Sequence, residues 1–190
     1  MRKFLASLLE VVEIAVIAVG AVFVIRAFLV QPFLVSGTSM YPMLHDGNYL
    51  LIDELTYRIR PPARGEIIVF HDPQDYSTYF VKRIIGLPGD RVVINNGTIT
   101  IYDSQHPNGF VLDETYLPPG TDTSGHYDVT VPQGDYYVLG DNRPLSYDSR
   151  SWGFMPAANI VGLVRFRLWP LNQMSVFSAP TYPSSTVGGS

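Results

Sequence analysis

The hydrophobic pattern divides the chain into one long apolar segment followed by a longer region of short strands. Residues from about Leu8 to Val30 are almost wholly apolar, and residues 14–25 carry no charge. A helix needs a run of about 20 apolar residues to cross a bilayer. We therefore predict one helix over this segment, with Arg2 and Lys3 before it and Arg26 close to its far end.

This helix is interpreted as a membrane anchor over residues 1–30, with its N-terminus in the cytoplasm because basic residues precede it. The following domain is then expected outside the cytoplasm, in a single-pass protein of the cell membrane. A cleavable signal peptide also has a basic start and an apolar run. The apolar stretch here is long, however, and no small-x-small cleavage site follows it before Ser39. A buried helix of a soluble domain is the remaining alternative.

After Gln31-Pro32 the pattern changes to short apolar runs separated by turns, which predicts a mainly β domain over residues 31–177. Asn95-Asn96-Gly97 is a strong hairpin signal. Residues 103–133 are predicted to form an irregular excursion, and residues 178–190 a disordered tail without core-forming residues. The predicted strands cover residues 33–35, 49–52, 66–70, 79–85, 91–94, 98–102, 135–139 and 159–169.

Composition narrows the classes of function. The net charge is −4, and no basic stripe suggests binding to nucleic acid. The absence of cysteine excludes disulfides, thiolate catalysis and zinc–sulfur sites. The four histidines are scattered without the spacing of metal ligands, so neither a metal nor a cofactor is expected. Fifteen prolines and sixteen glycines fit a turn-rich β protein.

Ser39 is the first candidate for chemistry. It lies in the stretch Ser36 to Leu44, where small neighbours would let a peptide backbone approach its hydroxyl. Pro42 fixes the chain just beyond it. A serine hydroxyl becomes a nucleophile only when a base takes its proton, so the sequence must supply that base elsewhere.

Lys82 is the candidate base, since it lies in the apolar strand predicted from Tyr79 to Ile85. Burial disfavours the charged form of lysine and lowers its pKa. A neutral lysine could accept the serine proton, whereas arginine stays charged. The alternative is that Lys82 is an exposed strand residue with its ammonium group in water.

A third cluster, Gly140 to Gly153, packs hydroxyls, carboxylates and arginines into one short loop. It could be a solvated turn held by local hydrogen bonds. It could instead support a site, with Asp148 and Arg150 paired and a hydroxyl orienting the base.

Together these segments resemble the successive boxes of the type I signal peptidases, the membrane-bound serine proteases that remove signal peptides. The stretches are Ser36 to Leu44, Arg64 to Phe70, Val81 to Val92 and Leu139 to Phe154. Gly-Thr-Ser-Met-Tyr-Pro, Lys-Arg-Ile-Ile-Gly-Leu-Pro-Gly-Asp and Gly-Asp-Asn-Arg are highly specific in combination. The resemblance implies a mainly β, signal-peptidase-type antiparallel fold with one N-terminal transmembrane helix.

The resemblance also implies roles for individual residues. Ser39 would be the nucleophile and Lys82 the general base, with Ser146 bonded to the lysine nitrogen. Asp141, Asp148 and Arg150 would be structural supports. Shallow pockets for small substrate side chains would be lined by Phe33, Val35, Met40, Leu44, Phe80 and Val81.

One position departs from some relatives, in which a serine two residues before the nucleophile stabilises the oxyanion. Here that position is Gly37. The Ser39 N–H can supply one donor, and the Thr38 hydroxyl is the candidate for the second. A lysine base is typical of the bacterial or organellar branch, and the single anchor resembles the small Gram-positive forms.

The expected activity is the removal of N-terminal signal peptides from exported preproteins by a membrane-bound serine endopeptidase. Only nine positions separate Val30 from Ser39, a reach of at most about 30 Å, which keeps the nucleophile near membrane lipid. One alternative is a self-cleaving, repressor-type Ser/Lys protease, which should carry a DNA-binding domain and its own cleavage site; neither is visible. The other is a catalytically inactive, membrane-anchored β scaffold.

Overall fold

The computed structural model of the chain describes residues 10–20 and 30–182. Residues 10–20 form helix α1, whose side chains are exposed throughout. The other parts of the predicted anchor helix, residues 8–9 and 21–29, lie outside the described residues. Among the residues that are described, no helix is both long enough and apolar enough to cross a membrane. Val30, predicted as the end of the helix, instead begins the first strand.

Twelve strands are present in the described part of the chain. They are β1 (Val30–Leu34), β2 (Tyr49–Asp53), β3 (Ile67–His71), β4 (Tyr79–Gly86), β5 (Arg91–Asn95), β6 (Thr98–Tyr102), β7 (Phe110–Val111), β8 (Tyr127–Thr130), β9 (Asp135–Leu139), β10 (Met155–Pro156), β11 (Ile160–Trp169) and β12 (Ser175–Val176). Two single-turn helices are α2 (Thr56–Ile59) and α3 (Ser149–Trp152). Short 3₁₀ helices cover Arg143–Leu145, Ala157–Asn159 and Leu171–Gln173.

The strands form two antiparallel sheets. The larger has the order β1-β2-β11-β3-β4-β9-β10, with β12 paired to β11, and the smaller has the order β7-β6-β5-β8. Every strand pairing is antiparallel. The predicted mainly β, antiparallel architecture is confirmed, and all eight predicted strands are present.

Strand β1 begins three residues before the predicted strand and contains Pro32 in its middle. It pairs only with β2, so it is an edge strand of the larger sheet. Proline is tolerated at such an edge because its missing N–H need not serve a second neighbour. The prediction therefore placed the strand too late, by treating Pro32 as a boundary.

The hairpin between β5 and β6 forms where Asn95-Asn96-Gly97 predicts it. Asn95 pairs with Thr98, and the two residues between them have positive φ values, 50° at Asn96 and 80° at Gly97. Two central residues of positive φ define the tight turn that matches the twist of a hairpin.

The excursion 103–133 differs from its prediction, because it contains β7 and β8. Strand β8 pairs along its whole length with β5, from Arg91↔Thr130 to Ile94↔Tyr127. In β8 half-buried and exposed residues alternate. Strands this short, surrounded by glycine, proline and aspartate, carry too little hydrophobic pattern to be recognised.

The predicted disordered tail also differs over its first residues. Tyr182 is 3% exposed and belongs to the core that contains Ile85 and Val92. A Cβ at Gly65 would lie 2.8 Å from both Pro180 Cδ and the Tyr182 ring, so this segment packs closely on the domain. A single buried aromatic ring removes enough apolar surface from water to hold a short segment. Residues 183–190 lie outside the described residues.

Three clusters of buried side chains fill the domain. The cluster that positions the site includes Val35, Met40 and Leu44 from the loop after β1, packed on residues of β2, β3 and β11. A second cluster lies between β3, β4 and β9 and includes Phe70, Ile84 and Val138. The third joins β5 and β6 of the smaller sheet to residues of β4 and β9 in the larger one.

Candidate active site

Ser39 lies in the loop between β1 and β2, and buried neighbours fix that loop. Met40 and Leu44 are 2% and 0% exposed, so the residues that follow the serine are held in the core. The Tyr41 N–H donates to Thr38 O at 3.1 Å, and the Leu44 N–H donates to Met40 O at 2.8 Å. These local turns present Ser39 half-buried at the surface.

Lys82 is brought to Ser39 by β4, which lies between β3 and β9. Its Nζ donates to Ser39 Oγ at 2.8 Å and to Val81 O at 3.1 Å. The Phe80 ring centroid lies 5.0 Å from the same nitrogen. Lys82 is 3% exposed, so the interpretation as an exposed strand residue is wrong.

Burial is the main influence on the lysine nitrogen. It lowers the pKa of Lys82 from its usual 10.5 to about 8, against the attraction of Asp148, Asp141 and Asp72, which acts in the opposite direction. Water solvates an ammonium group far better than a protein interior does. A substantial fraction of the lysine is therefore neutral near pH 8, and its lone pair can then accept the proton of the bonded hydroxyl.

Asp141 forms a buried ion pair with Arg83, the residue after the lysine. Arg83 Nε and Nη2 lie 2.8 and 2.7 Å from the two carboxylate oxygens, and Nη1 donates to Gly65 O at 2.8 Å. Paired N–H···O bonds of this kind fix orientation as well as distance. The pair therefore holds the loop after β9 against β4.

Asp148 and Arg150 form the pair that the sequence analysis considered. Arg150 Nε and Nη2 each lie 2.8 Å from a carboxylate oxygen of Asp148. The Gly140 N–H donates to Asp148 Oδ2 at 3.1 Å, and Arg150 Nη2 donates to Arg143 O at 2.6 Å. Asp148 also caps α3 by accepting from the Arg150 N–H. These hydrogen bonds hold the start of the loop, at Gly140, against its end, at Asp148.

Ser146 is close to the nucleophile, but its predicted bond to Lys82 is not formed. Its buried Oγ has no hydrogen-bond partner among the residues that the structure describes. A Cβ at Gly140 would lie 2.2 Å from Ser146 Oγ and 2.4 Å from Ser39 O. Gly140 is therefore the residue that lets the two serine loops approach each other.

Of the six residues predicted to line substrate pockets, five share one cluster. Val35, Met40 and Leu44 are buried in it, while Phe33 and Val81 are half-buried against it. Phe80 packs with a different cluster, edge-on to Phe70. The three half-buried residues, Phe33, Phe80 and Val81, are thus the ones that a substrate could touch directly.

Thr38 is exposed, and its hydroxyl has no hydrogen bond to any other described residue. Its carbonyl accepts from the Tyr41 N–H and from Asn142 Nδ2. Gly37 has a φ of 100°, a conformation that a residue with a side chain rarely adopts. This backbone accounts for glycine, rather than serine, two residues before Ser39.

Asn142 is a site residue that the sequence analysis missed. Its backbone N–H donates to Ser39 O and its Nδ2 donates to Thr38 O, both at 3.0 Å. The signal that could have identified it is its place inside the Gly-Asp-Asn-Arg motif. Asn142 therefore fixes the backbone of the nucleophile loop from the opposite side of the site.

Arg143 was missed as well, and it connects the site to the excursion. It is 1% exposed and its Nε donates to Gly140 O at 3.0 Å. Its guanidinium group also pairs with Glu114 and bonds to Thr123 and Tyr116, all three from residues 103–133. Nothing local in the sequence indicates these partners, because they are brought together only by folding.

The chain is similar to signal peptidases over most of its length. Residues 8–169 match the family described as "Signal peptidase, peptidase S26". Signal peptidase I of Bacillus caldolyticus is 41% identical over 174 residues, which cover 84% of this chain and 90% of that protein. Signal peptidase I of Bacillus licheniformis is 38% identical over 178 residues, 88% of this chain and 92% of that protein.

Probable signal peptidase I-2 of Synechocystis sp. is 37% identical over 174 residues, which cover 88% of this chain and 74% of that protein. A crystal structure of a signal peptidase I from Enterococcus faecalis V583 aligns at 34% identity with 56% of this chain and 98% of its own, with a TM-score of 0.47. The family match and the sequence identities do not depend on that alignment. The family match over residues 8–169 and the identities of 37–41% to known signal peptidases show that the chain belongs to the signal peptidase family, peptidase S26.

Proposed function

We propose that this protein is a membrane-bound serine endopeptidase that removes N-terminal signal peptides from exported preproteins. One observation carries the proposal: Lys82 Nζ lies 2.8 Å from Ser39 Oγ while Lys82 is almost fully buried. A hydroxyl and a neutral amine at this distance form a nucleophile with its base. Family membership supplies the substrate class.

In the proposed reaction, neutral Lys82 takes the Ser39 proton as Oγ attacks the carbonyl carbon of the scissile bond. The protonated lysine then gives that proton to the leaving amine, and the C–N bond breaks to leave an acyl-enzyme. A water molecule, deprotonated by the same lysine, attacks the ester. The lysine returns the proton to Ser39 Oγ as the ester bond breaks. Protons and electron pairs balance without a metal or a cofactor.

The oxyanion of the tetrahedral intermediate needs preorganised donors. The Ser39 N–H makes no hydrogen bond within the described part of the chain, so it is available as one donor. We assign the second to the Thr38 hydroxyl, which is exposed next to the nucleophile.

Ser146, Asp141, Asp148 and Arg150 are proposed as supports of the two reacting groups. The carboxylates and arginines form the buried pairs that hold the loop after β9. We propose that Ser146 orients the lysine, since a buried hydroxyl without a partner costs about 1–3 kcal/mol and gains by finding one.

The residues before the scissile bond are proposed to lie extended beside the first half of β4, residues 79–82, which pairs with β3 on one side and precedes the pairing with β9 that begins at Arg83. They would form an added strand with alternate side chains pointing inward. Phe33, Phe80 and Val81 would contact them at the surface. Val35, Met40 and Leu44 form the buried floor below. A floor that is already closely packed leaves room only for small side chains, as signal-peptide cleavage requires.

A single membrane anchor that ends before Val30, with the catalytic domain outside the cytoplasm, completes the proposal. In α1 the apolar side chains of Val11, Ile14 and Val19 are 64%, 67% and 69% exposed. Contiguous exposed apolar surface of this kind is normally covered, and we propose that membrane lipid covers it. Arg2 and Lys3 favour the cytoplasmic side for the N-terminus.

Ser39→Ala tests the proposal. We expect the purified variant to fold, as checked by circular dichroism, and to lose all processing of a preprotein. Ser124→Ala removes an exposed hydroxyl from the excursion and should process at the wild-type rate. Cleavage by folded Ser39→Ala would overturn the mechanism. Wild-type protein that leaves preproteins intact would favour the inactive scaffold, and fragments of the chain itself would favour the self-cleaving protease.

A further inference from the structure

A cleft of about 470 Å³ adjoins the nucleophile loop. It is lined by Tyr41 and Pro42 and by residues of the segment from Pro118 to Asp122 in the excursion. Asp141, Asn142 and Pro144 complete the lining. The volume lies within the range of about 300–1,000 Å³ that is typical of ligand pockets in proteins.

The cleft is connected to the reaction centre by two direct links. Asn142, which lines it, donates its backbone N–H to Ser39 O and its Nδ2 to Thr38 O, both at 3.0 Å. Tyr41 and Pro42 follow Ser39 by two and three residues. A chain bound in the cleft would therefore lie within a few residues of the scissile bond.

The residues of the cleft do not overlap with those proposed to hold the substrate before the scissile bond. Phe33 belongs to β1, and Phe80 and Val81 belong to β4, whereas no residue lining the cleft comes from either strand. The scissile bond of a substrate that is extended along β4 lies at Ser39. The substrate residues that follow this bond must therefore lie beyond β4. The cleft between Tyr41 and the excursion is a concave surface that adjoins the loop carrying Ser39.

The charge of the lining residues determines which substrate side chains the cleft would favour. Asp122 lines the cleft and is exposed, and none of the lining residues that the structure describes is a lysine or an arginine. Asp141 is neutralised by its buried pair with Arg83, so Asp122 supplies the uncompensated charge. A carboxylate there attracts a nearby cation and repels an anion, by an amount that salt reduces.

We propose that this cleft binds the segment of the preprotein that follows the scissile bond, and that Asp122 makes it favour basic over acidic side chains in that segment. The inference rests on the proposed function, because it assumes cleavage at Ser39. It adds a specificity determinant in the excursion, a region that the mechanism itself uses only as a support.

The test uses two preproteins that differ only at the second and third residues after the scissile bond, Lys-Lys in one and Glu-Glu in the other. The kcat/KM ratio is measured for the full-length protein in detergent at low salt. For wild type we expect a preference of about two- to fivefold for Lys-Lys, the size of an exposed ion-pair effect. For Asp122→Lys we expect the preference to reverse.

Asp113→Lys is the matched control, since it makes the same change of charge at an exposed position of the excursion that does not line the cleft. It should keep the wild-type preference. A wild-type ratio near one, an unchanged ratio in Asp122→Lys, or an equal shift in Asp113→Lys overturns the inference. These outcomes leave Ser39-dependent cleavage intact, whereas failure of the proposed function is a wild-type protein that cleaves neither substrate.

Discussion

At the scale of single residues, the burial of Lys82 lowers its pKa, as a base requires, and also reduces the stability of the folded protein. The unfolded chain has a lysine of pKa near 10.5, and the folded protein has one of about 8. Below pH 8 the lysine is protonated in both states, and its burial then costs about 3 kcal/mol of folding free energy. Between these two pKa values the unfolded state binds more protons, so the free energy of unfolding rises with pH in that window. Stability at neutral pH is thus reduced by the group that the reaction needs.

The pH profile and two substitutions test this statement about Lys82. We expect kcat/KM to rise about tenfold per pH unit below the lysine pKa and to level off above about pH 8, because only the neutral amine is a base. Lys82→Arg and Lys82→Met should both be inactive. Lys82→Met should nevertheless melt at a higher temperature than wild type at pH 7, since it buries no charge.

Lys82→Arg serves as the control in the melting experiment, because it keeps a permanent charge and should show no gain in stability. Measurable cleavage by Lys82→Arg, or a flat profile from pH 6 to 9, would contradict proton transfer by this residue.

At the scale of elements, the loop between β9 and α3 is bonded both to the nucleophile loop and to the excursion. Asn142 holds the nucleophile loop, and the adjacent Arg143 holds Gly140 O while its guanidinium group lies buried between Glu114 and Thr123. A buried guanidinium group is strongly destabilising when one of its partners is removed. The excursion therefore stabilises the backbone against which Ser39 is placed.

Glu114→Gln tests this connection. The variant keeps the shape of the side chain and removes the charge that faces Arg143. We expect the free energy of unfolding to fall by about 1.5–3 kcal/mol, the range for hydrogen bonds to charged groups. We also expect kcat to fall more than KM changes, because the loop that places Ser39 relaxes. Denaturant titration and steady-state kinetics measure the two effects.

Asp113→Asn removes a neighbouring exposed carboxylate and should change neither quantity. If Glu114→Gln lowers stability while kcat stays at its wild-type value, the Arg143 network supports the fold and not the site.

At the scale of the whole molecule, the β domain has every proposed catalytic group, and the N-terminal segment has none. Strand β1 begins at Val30, which pairs with Asp53 of β2. Strand β1 therefore belongs to the domain, and the proposed anchor ends before Val30. The segment before it contributes location instead of chemistry in the proposed mechanism.

Deleting residues 1–29 tests this division. The truncated protein should cleave a preprotein in detergent, where enzyme and substrate mix freely, and should cleave poorly when the substrate is held in bilayers. Deleting residues 1–34 is the informative comparison, since it also removes β1 and Phe33 and should abolish cleavage in both settings. A protein lacking residues 1–29 that folds yet cleaves nothing in detergent would show that the anchor contributes to the site.

Local patterns were sufficient for much of the fold. Continuous apolar runs predicted β3 and β4, and Asn96-Gly97 predicted the hairpin, because a side chain's preference for a strand or a positive φ acts within a few residues. The same patterns missed β7 and β8, where strand pairing compensates for weak sequence preference. They also missed the burial of Tyr182, which depends on a surface built by distant strands.

The groups proposed for the reaction could be identified from local sequence: a serine among small residues, a lysine within an apolar strand, and a loop of carboxylates and arginines in the order typical of the family. How these groups meet depends on the fold of the whole domain. It brought Lys82 to Ser39, left Ser146 without its predicted bond, and joined Arg143 to Glu114 across 29 positions of the chain. Distances between side chains that are far apart in sequence depend on the packing of all the strands between them, and no local pattern encodes that packing.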